Sequence, residues 1–433
     1  MKKLFCLLLL SLVSVFLSAQ YVVTGGIGKP YAYSEDLAGA GIEKVYLLNT
    51  LDGARISYTS SAASVKFYRY RQSLADKEEV AISSSDGTTY TIDNLSDGYG
   101  YLVSEGESVR AAVWIIDYSV HQPALTSIEA VENEDKCEFL KLFVTKSEGE
   151  LFFYTNSGVK RNIRRTYTID YVNKVWNDDE KKFEQKNITE AEREIGTDVI
   201  VDAPLMDTYY TLKGDQFAKH FNIAKEVSSG VYTAVAVEAR IFSEQEKRDA
   251  NNETGNDEGQ LGGSAPVVID FYGYGNEPVA GYYTWFIYNK QDMQNPIARY
   301  TDKKIKYTFE EWGDYIVKLE VADQSSVCTD TTSVSFSVSE SWLEAPNFFS
   351  PGDSPGSNDE FKVAYKSIVK FKCTIFNRWG TKLYQWTDPS KGWDGRYKGS
   401  YVNTGVYFYV IEATGSDGKK YKLGGDINVF RSR

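Results

Sequence analysis

The chain has 433 residues, room for several domains, with 42% apolar and 25% charged residues and a formal net charge of −12. That balance excludes a disordered or collagen-like chain, and the acidity argues against nucleic acid or an anionic membrane surface as partner. Aromatics reach 14%, while His121 and His220 are the only histidines, too few for a multi-histidine metal site or a histidine-based triad.

Residues 1–19 read as a secretory signal. Lys2 and Lys3 precede an apolar core from Leu4 to Leu17, and Ser18-Ala19 before Gln20 forms a small-residue cleavage site. Cys6 sits inside the apolar core, so lipidation is not expected. No later stretch approaches the ~18 apolar residues of a membrane-spanning helix. Cys137, Cys328 and Cys373 remain. They lack C-x-x-C spacing, which removes zinc and redox-motif readings. Three reduced, buried thiols are the main expectation, and one long-range disulfide is the alternative.

Residues 20–118 read as an immunoglobulin-like sandwich. Short strands such as Val65-Lys66-Phe67-Tyr68-Arg69-Tyr70 and Ala112-Val113-Trp114-Ile115-Ile116 alternate with Asp-Gly turns. Gly25-Gly26-Ile27-Gly28 lacks the Lys-Ser/Thr and the helix of a phosphate loop, and no cofactor is expected. Residues 119–243 read as a second sandwich, with a hairpin turning at Asn177-Asp178-Asp179. Asp215 caps a short helix from Gln216 to Phe221, and a closing strand runs from Val231 to Ile241. Residues 244–263 lack aromatics and read as a flexible linker, expected to be the most mobile part of the mature chain.

Residues 264–340 hold Tyr282-Tyr283-Thr284-Trp285-Phe286-Ile287-Tyr288 and the alternating Tyr315-Ile316-Val317-Lys318-Leu319-Glu320-Val321. This pattern resembles a PKD-like domain, a fold that usually serves as spacer or binding module. The whole is expected to be all-β, four sandwich modules in series.

Residues 343–433 carry Asn347-Phe348-Phe349-Ser350-Pro351-Gly352-Asp353, then Asn358-Asp359, Phe376-Asn377-Arg378-Trp379-Gly380, Gly392-Trp393-Asp394-Gly395 and Thr404-Gly405-Val406-Tyr407-Phe408. Trp379, Trp386 and Trp393 are expected in the core, with glycan stacking by one of them as the other reading. In this order the motifs resemble the gliding-motility-associated C-terminal domain, the type B sorting signal of the type IX secretion system. The resemblance implies a Bacteroidota source, passage to the outer membrane and a SprF/PorP-like outer-membrane partner. It leaves open calcium ligation by Asp353, Asn358 and Asp359, because the loop is rearranged.

Residues 341–433 hold 14 basic and 9 acidic residues, a net of +5 on an otherwise acidic chain. Lys419, Lys420 and Lys422, with Arg431, are therefore the candidate partner-binding residues. The reading is a non-catalytic envelope protein, exported through or accessory to the type IX and gliding machinery, at the cell surface or the periplasmic face. The second reading is a carbohydrate-binding adhesin. No catalytic or metal residues are expected, since acid pairs such as Asp178-Asp179 and Glu310-Glu311 are adjacent rather than opposed across a cleft.

Overall fold

A computed structural model describes residues 21–190, 192–256, 259–352 and 358–431. The expected export signal and Asp353 lie outside the described residues. The fold is nearly all β, with 53% of the described residues in strands and 3% in helix.

In the first sandwich a four-stranded sheet (Tyr21–Thr24, Arg55–Thr59, Thr89–Ile92, Ser84–Ser85) faces a larger one built around Ala112–Asp117. That strand runs parallel to Ile42–Leu48 and antiparallel to Tyr99–Glu105. Ala112 to Ile116 contain no polar side chain because both faces of the strand are buried. Val113 and Ile115 enter the sandwich core with Tyr58 and Phe67. Trp114 and Ile116 face the other way and meet Leu151, Phe153, Ile163 and Phe217. The border expected at residue 118 is therefore a shared core. An ion pair between Arg165 and Asp215, both almost fully buried, closes it. Asp215 also accepts the Tyr118 hydroxyl at 2.6 Å and the Ala218 N–H at 2.8 Å, capping the helix Gln216–His220. Arg165 donates further to the carbonyls of His121 and Gly149. A buried pair is tolerated only when its remaining valences are filled in this way.

The second unit packs the sheet Ala124–Val131, Phe139–Ser147, Asp198–Asp202 on the sheet containing Thr168–Asn177, around Leu140, Leu142, Ile169, Tyr210 and Leu212. The closing strand expected from Val231 does not form. Residues 231–239 are irregular apart from a bridge at Tyr232, and pairing begins at Arg240. Side chains, not a neighbouring strand, take several backbone N–H groups: Asp207 accepts from Ala234, Asn276 from Glu238, and Asp330 from Ala239. Arg240–Gln245 then joins the next sheet, antiparallel to Val267–Tyr274.

In that third unit Trp285 is fully buried and donates its indole N–H to the Asp302 carbonyl at 2.8 Å. Tyr315, Val317, Leu319 and Val321 all point into the same core. Cys137 and Cys328 form a disulfide, with Cα atoms 5.4 Å apart across 191 residues of sequence. This corrects the expectation of three reduced thiols. The turn carrying Cys137 in the second unit abuts the Asp323–Cys328 turn of the third, a tertiary neighbourhood with no local sequence signal. A structural disulfide suits an oxidising compartment. Cys373 is a free, buried thiol, and burial raises its pKa.

The linker expected at 244–263 is also corrected in part: residues 246–256, although mostly exposed, are tied down as a strap by hydrogen bonds. Glu244 and Gln245 are in a strand, and Gly262–Gly263 pairs with Thr329–Val338. Arg248 pairs with Glu253 and donates to the carbonyls of Pro266 and Ser264. Asn252 donates to the Val363 and Pro389 carbonyls, and Thr254 N–H to that of Tyr365. Polar side chains thus satisfy backbone across the junction, where composition alone suggested only solvation. Beside the strap, Ser264 and Ser367 are fully buried. The Ser264 hydroxyl accepts the Ser367 N–H at 2.7 Å, and the Ser367 hydroxyl accepts the Ala265 N–H at 3.0 Å.

Candidate partner-docking face

The C-terminal unit is a five-stranded sheet in the order Phe348–Phe349, Lys420–Val429, Gly405–Gly415, Ile368–Phe376, Lys382–Trp386. Its inner face buries Phe361, Cys373, Ile375, Trp386, Trp393 and Ile411. Along the central strand Gly405–Gly415, Ile411 and Ala413 point inward, so Val406, Phe408, Val410, Glu412 and Thr414 point outward.

Strand register assembles the outer face. Thr414 lies between Lys370 and Lys420, and Glu412 between Lys372 and Lys422. All four lysines are exposed, around a single carboxylate. Lys372 comes within 3.9 Å of Glu412, an exposed contact worth little. The face therefore carries net positive charge at this end, in a shallow depression of ≈ 270 Å³.

The four residues proposed from the sequence do not act together. Lys420 and Lys422 share this face. Lys419 is on the other side: its ammonium lies 4.8 Å from the ring centre of Tyr421, which is buried. Its N–H donates to Asp417 at 3.0 Å. Burial alone would raise the pKa of Asp417. Hydrogen bonds from the Ser341 hydroxyl and from the Lys419 and Ser341 backbone more than offset this and hold it below the ordinary range. Arg431 stands at the opposite end of Lys420–Val429, its guanidinium 4.7 Å from the Tyr401 ring centre.

At that end lies a cleft of ≈ 580 Å³ between the 377–380 turn, residues 397–404 and the start of the central strand. Trp379 is 75% exposed at its rim, which corrects its expected place in the core. Asn377 accepts the N–H groups of Trp379 and Thr381, so its side chain folds the turn and the indole projects outward. Arg378 stacks on that indole at 4.6 Å, and Arg396 lies 4.3 Å from the Tyr401 ring centre. No Asp or Glu is among the described residues that line the cleft. Lys370, Lys372, Arg378 and Arg396 join these surfaces without a local signal in the sequence. The central strand does carry one: Val406 to Ile411 is apolar at every position, more than a strand with one solvated face requires.

Other candidates stay dispersed. His121 Nε2 is 2.9 Å from Asp97 Oδ2, and His220 Nε2 donates to the Lys29 carbonyl at 2.8 Å. Asp178 accepts the Trp176 indole N–H at 2.9 Å in its hairpin turn. Among the described residues no group of three His, Cys, Asp or Glu could hold a metal ion. No helix of the described residues is long and apolar enough to cross a membrane.

The fold and face define a multi-sandwich protein with a distinct C-terminal module. Residues 343–425 match the family described as CHU_C Type IX secretion signal domain, and residues 129–229 match a fibronectin type III domain. The chain thus carries a type IX secretion signal, the mark of a protein exported to the cell surface or the medium, behind immunoglobulin-like β-sandwich structure. No curated protein matches it. Among solved structures, a tetra-tandem repeat in the extending region of a large adhesion protein is similar over 89% of this chain and 98% of that one, at 12% identity and TM-score 0.22. Sidekick-1 immunoglobulin domains 1–5 are similar over 90% and 78%, at 9% identity and TM-score 0.24. Dimeric latent PorU from Porphyromonas gingivalis is similar over 79% of this chain but 36% of that one, at 12% identity and TM-score 0.17. At such TM-scores these likenesses carry no weight for function.

Proposed function

We propose that this is a non-catalytic envelope protein of a gliding or type IX system, exported as cargo and held at the outer membrane by its C-terminal module on a SprF/PorP-like protein. The observation that carries the reading is the secretion-signal match at residues 343–425, on the module whose outer face gathers four lysines. A basic face on a chain of net −12 steers that module, and not the acidic body, toward an acidic partner surface. The body is a spacer. Its units are joined by a shared core, a disulfide and buried serine contacts, which limit bending between them. The carbohydrate-binding reading keeps its support in exposed rings, Trp379 above all, with Trp312, Trp342, Tyr209 and Tyr282 less so; Trp114, Trp285, Trp386 and Trp393 fill cores.

The test is protease shaving of intact type IX-competent cells, beside cells with that system disabled and cells expressing residues 1–342. Shaving of the full chain only in competent cells supports the reading. Equal surface exposure without the system, or without the C-terminal module, refutes it.

A further inference from the structure

The outer face of the C-terminal sheet is built unlike a solvent face. Three successive outward residues of the central strand are apolar and about half exposed: Val406 at 48%, Phe408 at 42% and Val410 at 47%. An antiparallel sheet facing water alternates to polar residues at such positions. Opposite Val410 the neighbouring strand has Gly424, where an added Cβ would meet nothing closer than 3.6 Å, so a notch opens beside Val410. The apolar row runs from the aromatic and arginine cleft at Trp379 and Tyr401 to the quartet Lys370, Lys372, Lys420 and Lys422. Asp426, opposite Phe408, and Glu412 are the acids on the strands that form this row.

We propose, resting on the docking reading above, that this face binds one extended acidic–apolar segment of a partner protein, about nine residues long, lying along Gly405–Gly415. Nine residues at ~3.3 Å each match the run from Val406 to Thr414. The segment's carboxylates meet the lysine quartet. Alternate apolar side chains pack on Val410, Phe408 and Val406, the two-residue period of the face matching that of a strand. Its far end enters the cleft, where Arg378, Arg396 and Arg431 surround Trp379 and Tyr401. Acidic residues are excluded from the middle of the segment by Asp426.

Two features favour a peptide over a sugar chain. The row Val406, Phe408 and Val410 itself offers sugar hydroxyls no acceptor, Asp426 being the carboxylate beside it, and no Asp or Glu is among the described residues that line the cleft. Trp, Tyr, Phe and Arg around a central apolar strip are the composition of protein interface centres.

The experiment uses the full mature chain and a labelled decapeptide, Asp-Asp-Glu-Val-Thr-Phe-Thr-Val-Thr-Tyr, read by fluorescence anisotropy at low and high salt. Binding should weaken as salt rises. It should fall at least tenfold in Trp379→Ala and in Phe408→Ser, both exposed positions, with Val410→Thr as a second apolar variant. Lys420→Glu with Lys422→Glu should weaken binding and flatten the salt dependence. A scrambled peptide without alternation should bind at least tenfold more weakly, and melting curves confirm that the variants are folded. Any of four results overturns the proposal. These are no binding of the decapeptide, equal binding of the scrambled peptide, an acidic oligosaccharide taking the face in a Trp379-dependent way, or self-association that Phe408→Ser abolishes. Failure here with outer-membrane attachment intact overturns this inference alone. Absence of the wild-type chain from the outer membrane of type IX-competent cells overturns the docking reading and leaves the peptide result standing.

Discussion

Truncating Trp393 and truncating Trp379 should have opposite consequences, although both residues stand in similar aromatic-glycine turns of the sequence. Trp393 is 0% exposed, with its ring centre 5.5 Å from Phe349 and 5.8 Å from Tyr407. Its indole N–H donates to the Arg396 carbonyl at 2.9 Å. Replacing it with Ala removes roughly 150 Å² of buried apolar surface, about 4 kcal/mol at ~25 cal/mol per Å². The unpaired carbonyl adds about 1 kcal/mol, and relaxation of the site brings the expected cost to ~3–5 kcal/mol. Trp379, 75% exposed, should cost less than about 0.5 kcal/mol. Hydrogen exchange by mass spectrometry on the full chain reads the C-terminal unit separately. Peptides covering Gly405–Gly415 and Lys420–Val429 should exchange about a hundred- to several-thousand-fold faster in Trp393→Ala. In Trp379→Ala they should be unchanged within about threefold. Equal protection in both variants, or a larger loss in Trp379→Ala, would refute the assignment of inner and outer faces.

Replacing Cys137 and Cys328 with Ser should lower the urea midpoint. The loop-closure relation for a 191-residue separation gives roughly 5 kcal/mol as an upper value; two reactive thiols at these positions in non-reduced protein would contradict the pairing. Arg165→Leu should cost ~3–5 kcal/mol by stranding the buried Asp215 carboxylate, and calorimetry should show the first two units losing stability together. Asp417 and Asp323 are both held below the ordinary carboxylate range. Burial opposes this in each, and hydrogen bonds from Ser341 and Lys419, or from Ser325, Val327 and Cys328, outweigh it. Depressed carboxylates contribute stability that is complete above about pH 4 and is lost as pH falls through the folded values. Unfolding followed by fluorescence should therefore show an acid limb below about pH 4, shallower in Asp417→Asn. A flat profile down to pH 2 would count against it.

How much of this was legible depended on the range of the interaction. Trp285 and the alternating Tyr315 to Val321 run declared their core because period-2 burial is a local property. Asp215 was readable as a helix cap for the same reason. Its pairing with Arg165 and Tyr118 was not, since those partners are 50 and 97 residues away. The strap at 246–256 misled because Arg248, Asn252 and Thr254 are as suited to solvent as to the carbonyls they bind. Trp379 misled because hydrophobicity predicts burial, whereas the Asn377 turn fixes its direction. Lys370 and Lys372 joined Lys420 and Lys422 only through strand register, which the sequence of one strand does not contain.

On this reading the outer face of the C-terminal module holds the exported chain at the outer membrane. The most direct measurement is the distribution of the chain between outer membrane and medium when Lys370, Lys372, Lys420 and Lys422 are all changed to Glu. This folded variant should still be exported but be found in the medium, while the wild-type chain stays with the membrane and is released by high salt. A variant that remains attached as firmly as the wild type, at any salt, would contradict it.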